Sequence, residues 1–263
     1  MMELRKAKEI EYYDSRAQEW LKGKSQRNWS GDFEGFNPLV LSSFRFLYNW
    51  LEKNCAGKKL LDYGCGNGIH SIFPAKKGAQ VIAIDLSEKS LEIAKERAER
   101  EGVADKVSFV KMDCEKLEFP DNFFDIIVDG GTFSSLDLNK AFPELARVLK
   151  PDGVLIGIET LGHNPLANLK RQINKLRGNR SAWAVSHIFK MPDIKKAQQY
   201  FARSETYFFH FFSCFAFPFL SLSGGKIVLK WLERIDEIFL LLPFLKKYAF
   251  KTVFMFSSPV KNA

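Results

Sequence analysis

Cysteine and histidine are scarce in this chain of 263 residues, with four of each. The cysteines stand at 55, 65, 114 and 214 and show no metal-ligand spacing, so a structural zinc and a disulfide framework are both disfavoured and no metal is expected. Long apolar runs are also missing. The aromatic stretch from Tyr207 to Phe219 falls short of the about 20 apolar residues that cross a bilayer, contains His210, and meets Pro218, Gly224 and Gly225. No spanning helix is predicted. No positive, apolar, small-residue leader opens the sequence, and a reducing cytoplasm is the expected setting. Repeats and low-complexity tracts are absent as well. Acidic residues are outnumbered, 31 against 39 Lys and Arg, and the net charge of +8 favours phosphate or anionic surfaces as partners without constraining the fold.

What is present is a chain long enough for one large domain with an insertion. Its most informative segment is Leu60-Leu61-Asp62-Tyr63-Gly64-Cys65-Gly66-Asn67-Gly68, followed by the apolar Val81-Ile82-Ala83-Ile84 and then Asp85. The pattern predicts a strand, a glycine turn, a helix and a second strand. Glycines at 64, 66 and 68 let backbone approach a ligand closely, and an acid ending the next strand can accept hydrogen bonds from a ribose diol. A dinucleotide fingerprint would read G-x-G-x-x-G, whereas this chain has G-x-G-x-G with Asp62 two residues before the first glycine. Asp62 would repel a pyrophosphate and suits a cationic ligand.

Asp62 to Gly68 resembles the first motif of the class I S-adenosylmethionine-dependent methyltransferases, whose form is D-x-G-C-G-x-G. Lys111-Met112-Asp113-Cys114 matches the acid at the end of that family's third strand. Phe119 to Val128 matches the turn and fourth strand, and Leu145 to Gly153 matches the helix and turn before the fifth. The resemblance covers roughly residues 55 to 160. It implies an α/β fold, a doubly wound Rossmann-like sheet of seven strands that is mostly parallel with an antiparallel closing strand, plus a helical insertion. S-adenosylmethionine is the implied cofactor. Its expected contacts are Tyr13, Asp62, Gly64, Cys65, Gly66, Asn67, Gly68, Asp85, Leu86, Asp113, Cys114 and Asp129.

Outside that span the reading rests on patterning. Residues 1–50 are expected to form a helical lid, with Tyr12, Tyr13, Ala17 and Trp20 near one face and a polar break from Gly23 to Gly35. Residues 51–263 would be the methyltransferase domain, with insertions at about 162–203 and 215–245 on the substrate side. The first insertion is basic, carrying Lys170, Arg171, Lys175, Arg177, Arg180, Lys190, Lys195, Lys196 and Arg203. The second is apolar, from Ile227 to Leu242. Strands are expected at 204 to about 213 and at 248 to 257 as the antiparallel closing pair.

Methyl transfer from a sulfonium needs alignment more than acid-base chemistry, but an alcohol or phenol acceptor gains from a base, and histidine is the usual one. His163, four residues beyond Glu159 at the expected carboxyl end of the fifth strand, and His187, in the basic insertion, are the catalytic candidates. The segment from Gly162 through His187 is similar to methyltransferases encoded with sugar- and polysaccharide-assembly enzymes. His70 reads as a helix residue and His210 as a core histidine. Asp129-Gly130-Gly131-Thr132-Phe133 stands where amino-methylating relatives carry an Asn/Asp-Pro-Pro-aromatic box; both prolines are missing here, which disfavours DNA bases and glutamine as acceptors. The expected activity is methyl transfer to a small-molecule or lipid-linked acceptor, most readily at oxygen. Contact with an anionic group, peripheral membrane contact and self-association remain open. The alternatives are a nucleic-acid methyltransferase, suggested only by the charge, and a catalytically silent partner protein that uses the fold as a scaffold.

Overall fold

The computed structural model describes residues 2–21, 38–165, 168–169, 172–173, 183 and 187–261. The polar break at 23–35 and the cations Lys170, Arg171, Lys175, Arg177 and Arg180 lie outside the described residues.

Seven strands form one sheet in the order β3-β2-β1-β4-β5-β7-β6. They are β1 (Lys59–Tyr63), β2 (Gln80–Asp85), β3 (Val107–Lys111), β4 (Phe124–Asp129), β5 (Leu149–Thr160), β6 (Phe201–Phe209) and β7 (Lys251–Pro259). The first five run parallel, and β7 pairs antiparallel with both β5 and β6. The helices among them are α3 (Ile69–Lys76), α4 (Glu88–Arg100) and α5 (Leu138–Val148). Their apolar sides cover strands whose residues are mostly buried on both faces, the arrangement that parallel pairing requires. Local caps mark where the helices start. The Ser87 hydroxyl accepts the Ser90 N–H at 3.0 Å at the start of α4, and Asp137 accepts the Asn139 N–H at 3.1 Å at the start of α5.

Ahead of the sheet come α1 (Met2–Leu21) and α2 (Ser42–Asn54). Helix α2 packs Phe44, Leu47 and Leu51 into the core beside β5 and β7, so among the described residues of 1–50 the expected covering role falls to α1. Beyond β5 lie α6 (Met191–Ala197), a 3₁₀ segment (Ser213–Phe219), α7 (Gly225–Phe239) and α8 (Pro243–Lys246).

The closing strand β6 starts and stops earlier than its aromatic run suggests. It ends at Phe209 because His210 takes a left-handed φ of 64°, which breaks the ladder. The second insertion accordingly occupies everything from 210 to 250. Because β7 begins at Lys251, opposite Thr160 at the end of β5, this whole insertion sits at the carboxyl end of the parallel strands.

Candidate cofactor and substrate site

Strand order reverses between β1 and β4, whose last paired residues are Tyr63 and Asp129, and an open sheet binds ligands at such a reversal. A cavity of about 260 Å³ lies there. One wall is the glycine turn. Gly64 has a φ of 69° and lies so close to Thr132 that a Cβ would sit 2.4 Å from that side chain, so only glycine fits. A Cβ on Gly66 would meet nothing, since it would point into open space beside the turn.

Asp85 sets the shape of that wall. Its two oxygens accept the N–H groups of Gly66 and Ser87, each at 2.9 Å, which ties the end of β2 to the turn. Burial pushes its carboxyl upward, and these backbone donors hold it down. Asp113 closes the next corner, accepting the Glu115 N–H at 2.9 Å.

Helix α1 roofs the cavity with Arg5, Lys6, Glu9, Ile10 and Tyr13. Lys6 bonds Asp113 and lies 2.9 Å from Glu115, while Arg5 pairs with Glu115 and reaches the Ser135 carbonyl at 3.1 Å. Ser87 also donates to Asp14 of this helix. Glu9 differs from its neighbours: it is buried, it lines the cavity, and neither carboxylate oxygen has a hydrogen-bond partner among the described residues.

The opposite wall carries Glu159, Thr160, Phe250, Lys251, His70 and Gly130. Glu159 Oε1 accepts the Phe133 N–H at 2.8 Å. That donor is rigid, because the Phe133 ring packs edge-on to Phe142 at 5.3 Å and stacks on Phe254 at 5.5 Å, pairs worth about 1 kcal/mol each beyond area burial. Behind Glu159 stands Asp129, fully buried and driven well above the ordinary carboxylate range by burial and then by the Glu159 charge. Two adjacent carboxylates favour holding one proton between them. Asp129 is the member of the pair that burial drives upward, and Glu159 is the member that lines the cavity. His70 Nδ1 lies 3.0 Å from the Tyr48 hydroxyl, and burial lowers its pKa to about 4, so a neutral imidazole lines the cavity.

Of the residues expected to contact the cofactor, Tyr13, Gly64, Cys65, Gly66, Asn67, Asp85, Leu86, Asp113 and Cys114 line this cavity. Asp62, Gly68 and Asp129 do not. Asp62 lies beneath the turn, its Oδ2 accepting from the Ser71 hydroxyl of α3, and burial lifts it to about 7. Gly68 is instead pressed against Ala94 of α4. Asp129 caps the turn after β4 by accepting the Thr132 N–H at 2.9 Å.

Neither catalytic candidate reaches the cavity. His163 sits half-buried in the turn after β5, next to Gly162, whose N–H bonds the Phe189 carbonyl at 2.9 Å; burial and the Lys190 and Lys247 charges lower its pKa. His187 is exposed and stacks on Trp183 at 3.5 Å. The wall residues Glu9, Glu159, Lys251 and His70 were not singled out as site residues from the sequence. His210, by contrast, is a core histidine, held between Ser43 and Ser213 at 2.9 and 2.8 Å.

Comparison with known proteins agrees with this geometry. Residues 61–157 match the family described as a methyltransferase domain. A demethylmenaquinone methyltransferase of Bacteroides fragilis is 36% identical over 114 residues, 42% of this chain and 46% of that protein. A ubiquinone/menaquinone biosynthesis C-methyltransferase of Pectobacterium carotovorum is 38% identical over 135 residues, 48% of this chain and 54% of that one. The chain thus spans about half the length of the curated relatives it matches. Among solved structures, the [4+2]-cyclase SpnF superposes with a TM-score of 0.60 over 97% of this chain and 96% of its own at 17% identity, a likeness of fold alone.

Proposed function

We propose that this chain, a member of the class I S-adenosylmethionine-dependent methyltransferases by its fold and its domain at residues 61–157, transfers a methyl group to a small apolar or lipid-linked acceptor, preferentially at a hydroxyl oxygen. The observation that carries this reading is the meeting of the glycine turn, Asp85 and Asp113 in one cavity under α1, at the point where strand order reverses.

The residues present suit the cofactor. Gly66 leaves room for a close approach, and Glu9 is a buried acid without a partner among the described residues, on a wall that already carries Asp85 and Asp113. An acidic wall fits a ligand with an ammonium and a sulfonium, and the oxygens of Asp85 suit a ribose diol. When bound, S-adenosylmethionine supplies a methyl group already activated for displacement. The protein then has to align the acceptor and keep water out. Tyr13, Ile10 and the ion-paired Arg5 and Lys6 close the cavity from above. Glu159, fixed by the Phe133 N–H, is the group that would accept the hydroxyl hydrogen of an acceptor. One relative is named for C-methylation, and a carbon acidified by a neighbouring hydroxyl would present the same hydrogen to Glu159. The insertion of residues 210–250, at the same end of the sheet, forms the acceptor's side in this proposal, which sets the chain in the cytoplasm at the membrane periphery.

Calorimetric titration with S-adenosylmethionine and release of S-adenosylhomocysteine across a panel of apolar phenols test the proposal. Asp85→Ala should weaken cofactor binding about tenfold to a hundredfold, since a hydrogen bond to a charged group contributes about 1.5–3 kcal/mol. Glu159→Gln should keep that affinity and lower kcat about a hundredfold. Unchanged affinity in a folded Asp85 variant would overturn the assignment.

A further inference from the structure

Helix α7 is amphipathic in the inverted sense. Its acids Glu233 and Asp236 face the protein beside Leu229 and Leu232, and most of its other apolar residues face out. Glu233 accepts the Ser42 N–H at 2.7 Å and pairs with Arg45 at 2.7 Å; Asp236 accepts the N–H groups of Phe212 at 2.6 Å and Ser213 at 3.1 Å. These bonds fix the helix's rotation. Ile227, Trp231, Ile235 and Ile238, spaced at three and four residues, therefore form one outward stripe, and Leu241 and Phe244 extend it. Trp231, Ile238 and Leu241 are 63%, 68% and 74% exposed. A contiguous patch of this kind on a folded chain marks a contact surface.

Charge decides which contact. Lys226, Lys230 and Arg234 run along the same exposed side of α7, with Lys246 and Lys247 just beyond it, against the single outward acid Glu237 of this helix. The Arg234 guanidinium lies 5.7 Å over the Trp231 ring. Two copies brought together on this face would set cation against cation. An anionic lipid surface would instead take the apolar stripe into its acyl boundary and the cations at its headgroups, where Trp and Arg are at home. None of the described helices is long and apolar enough to cross a membrane, and α7, lying along the surface, has no need to.

We infer that the outward face of α7 and α8 docks on anionic membranes, with the helix in the interface plane and the cavity at the carboxyl end of the sheet held close to the lipid. This refines the apolar or lipid-linked acceptor proposed above and gives it a route to the site. It is tested without catalysis, so the two readings fail separately.

The test is flotation of this 263-residue chain with phosphatidylcholine vesicles, with and without phosphatidylglycerol. Binding should require the anionic lipid and weaken steeply with salt. Lys226→Gln with Lys230→Gln should lower the partition coefficient about thirtyfold. Trp231→Ser with Ile238→Ser should abolish binding. All four positions are exposed, and an unchanged cofactor titration and melting curve would certify the fold of each variant. Failure to bind anionic vesicles at low salt would overturn the inference. So would binding that ignores these substitutions, or sedimentation showing that the wild-type face is consumed in a dimer that the Trp231 and Ile238 changes dissociate.

Discussion

Helices α1 and α7 both turn charged side chains toward the protein, and what those charges meet separates them. Arg5 and Lys6 of α1 meet other side chains, Asp113 and Glu115, on the wall of a cavity. Glu233 and Asp236 of α7 meet backbone N–H groups of Ser42, Phe212 and Ser213, and Glu233 pairs with Arg45 as well. The partly exposed Lys6 pairs at the cavity edge are screened by salt and can exchange for water and re-form, which suits a cover that opens and closes, whereas Arg5–Glu115 is buried. Backbone donors held by buried carboxylates have few alternative partners, so they suit a part that stays fixed. From this contrast we propose α1 as the movable cover of the cavity and α7 as the fixed platform beside it.

The largest effect that would sharpen this contrast is acid weakening of the platform. His210 joins α2 to the insertion through Ser43 and Ser213, and burial first, then Lys251 and Arg45, lower its pKa to about 3. In the unfolded chain it titrates near 6.5, so between those values the unfolded state binds the extra proton and stability falls as pH falls. The neutral form's full stability is present above about 6.5 and is lost on descent toward 3, a difference on the order of 4–5 kcal/mol. His70, lowered to about 4, acts in the same direction. Asp62, lifted to about 7, and Asp129 act in the opposite direction, so the test is the difference from wild type in thermal unfolding followed from pH 7 to 4: His210→Gln should lack a destabilisation on the order of 3 kcal/mol over that range. A variant with the wild-type slope would mean that this histidine is not held neutral.

Next in size is the platform's own anchor. Asp236→Ala strips the buried N–H groups of Phe212 and Ser213 of their acceptor, each worth about 1–3 kcal/mol when left unmade. A loss of about 3 kcal/mol in chemical unfolding is expected, together with weaker vesicle binding. Lys6→Ala, its counterpart on α1, should cost less than about 1 kcal/mol because the lysine is partly exposed and its pairs are screened. Equal losses would erase the distinction between cover and platform.

Sequence legibility followed the range of the interactions. The glycine turn, Asp85 and Asp113 are local signals, since each depends on a strand end and the residues beside it, and all three reach the cavity. Asp62 belongs to the same motif, but it sits on the face of β1 that meets Ser71 of α3, out of reach of the cavity. His163 does lie just past β5, yet it is not among the residues that line the cavity. Lys251 enters the wall only because β7 runs antiparallel and sets it opposite Thr160, a register that no local pattern displays. Glu9 shows the limit most sharply. In sequence it is one more acid in a charged helix, and its meaning comes from the wall that α1 covers.

That acid supplies the smallest and most specific test. Glu9 is 7% exposed, and both of its oxygens lack hydrogen-bond partners among the described residues, an arrangement that costs the free protein and is compensated when a ligand donor arrives. Glu9→Gln keeps the shape and removes the charge. If the carboxylate serves the cofactor's cationic end, affinity for S-adenosylmethionine should fall about tenfold, equivalent to about 1.4 kcal/mol, while the melting temperature of the free protein holds or rises. Comparing sinefungin, which keeps an ammonium where the sulfonium stands, with 5′-methylthioadenosine, which lacks the amino-acid end, locates the effect: the variant should lose affinity for the first and none for the second. A purely structural acid would behave oppositely, lowering the melting temperature and leaving both affinities alone, and α1 would then be a cover with no part in recognition.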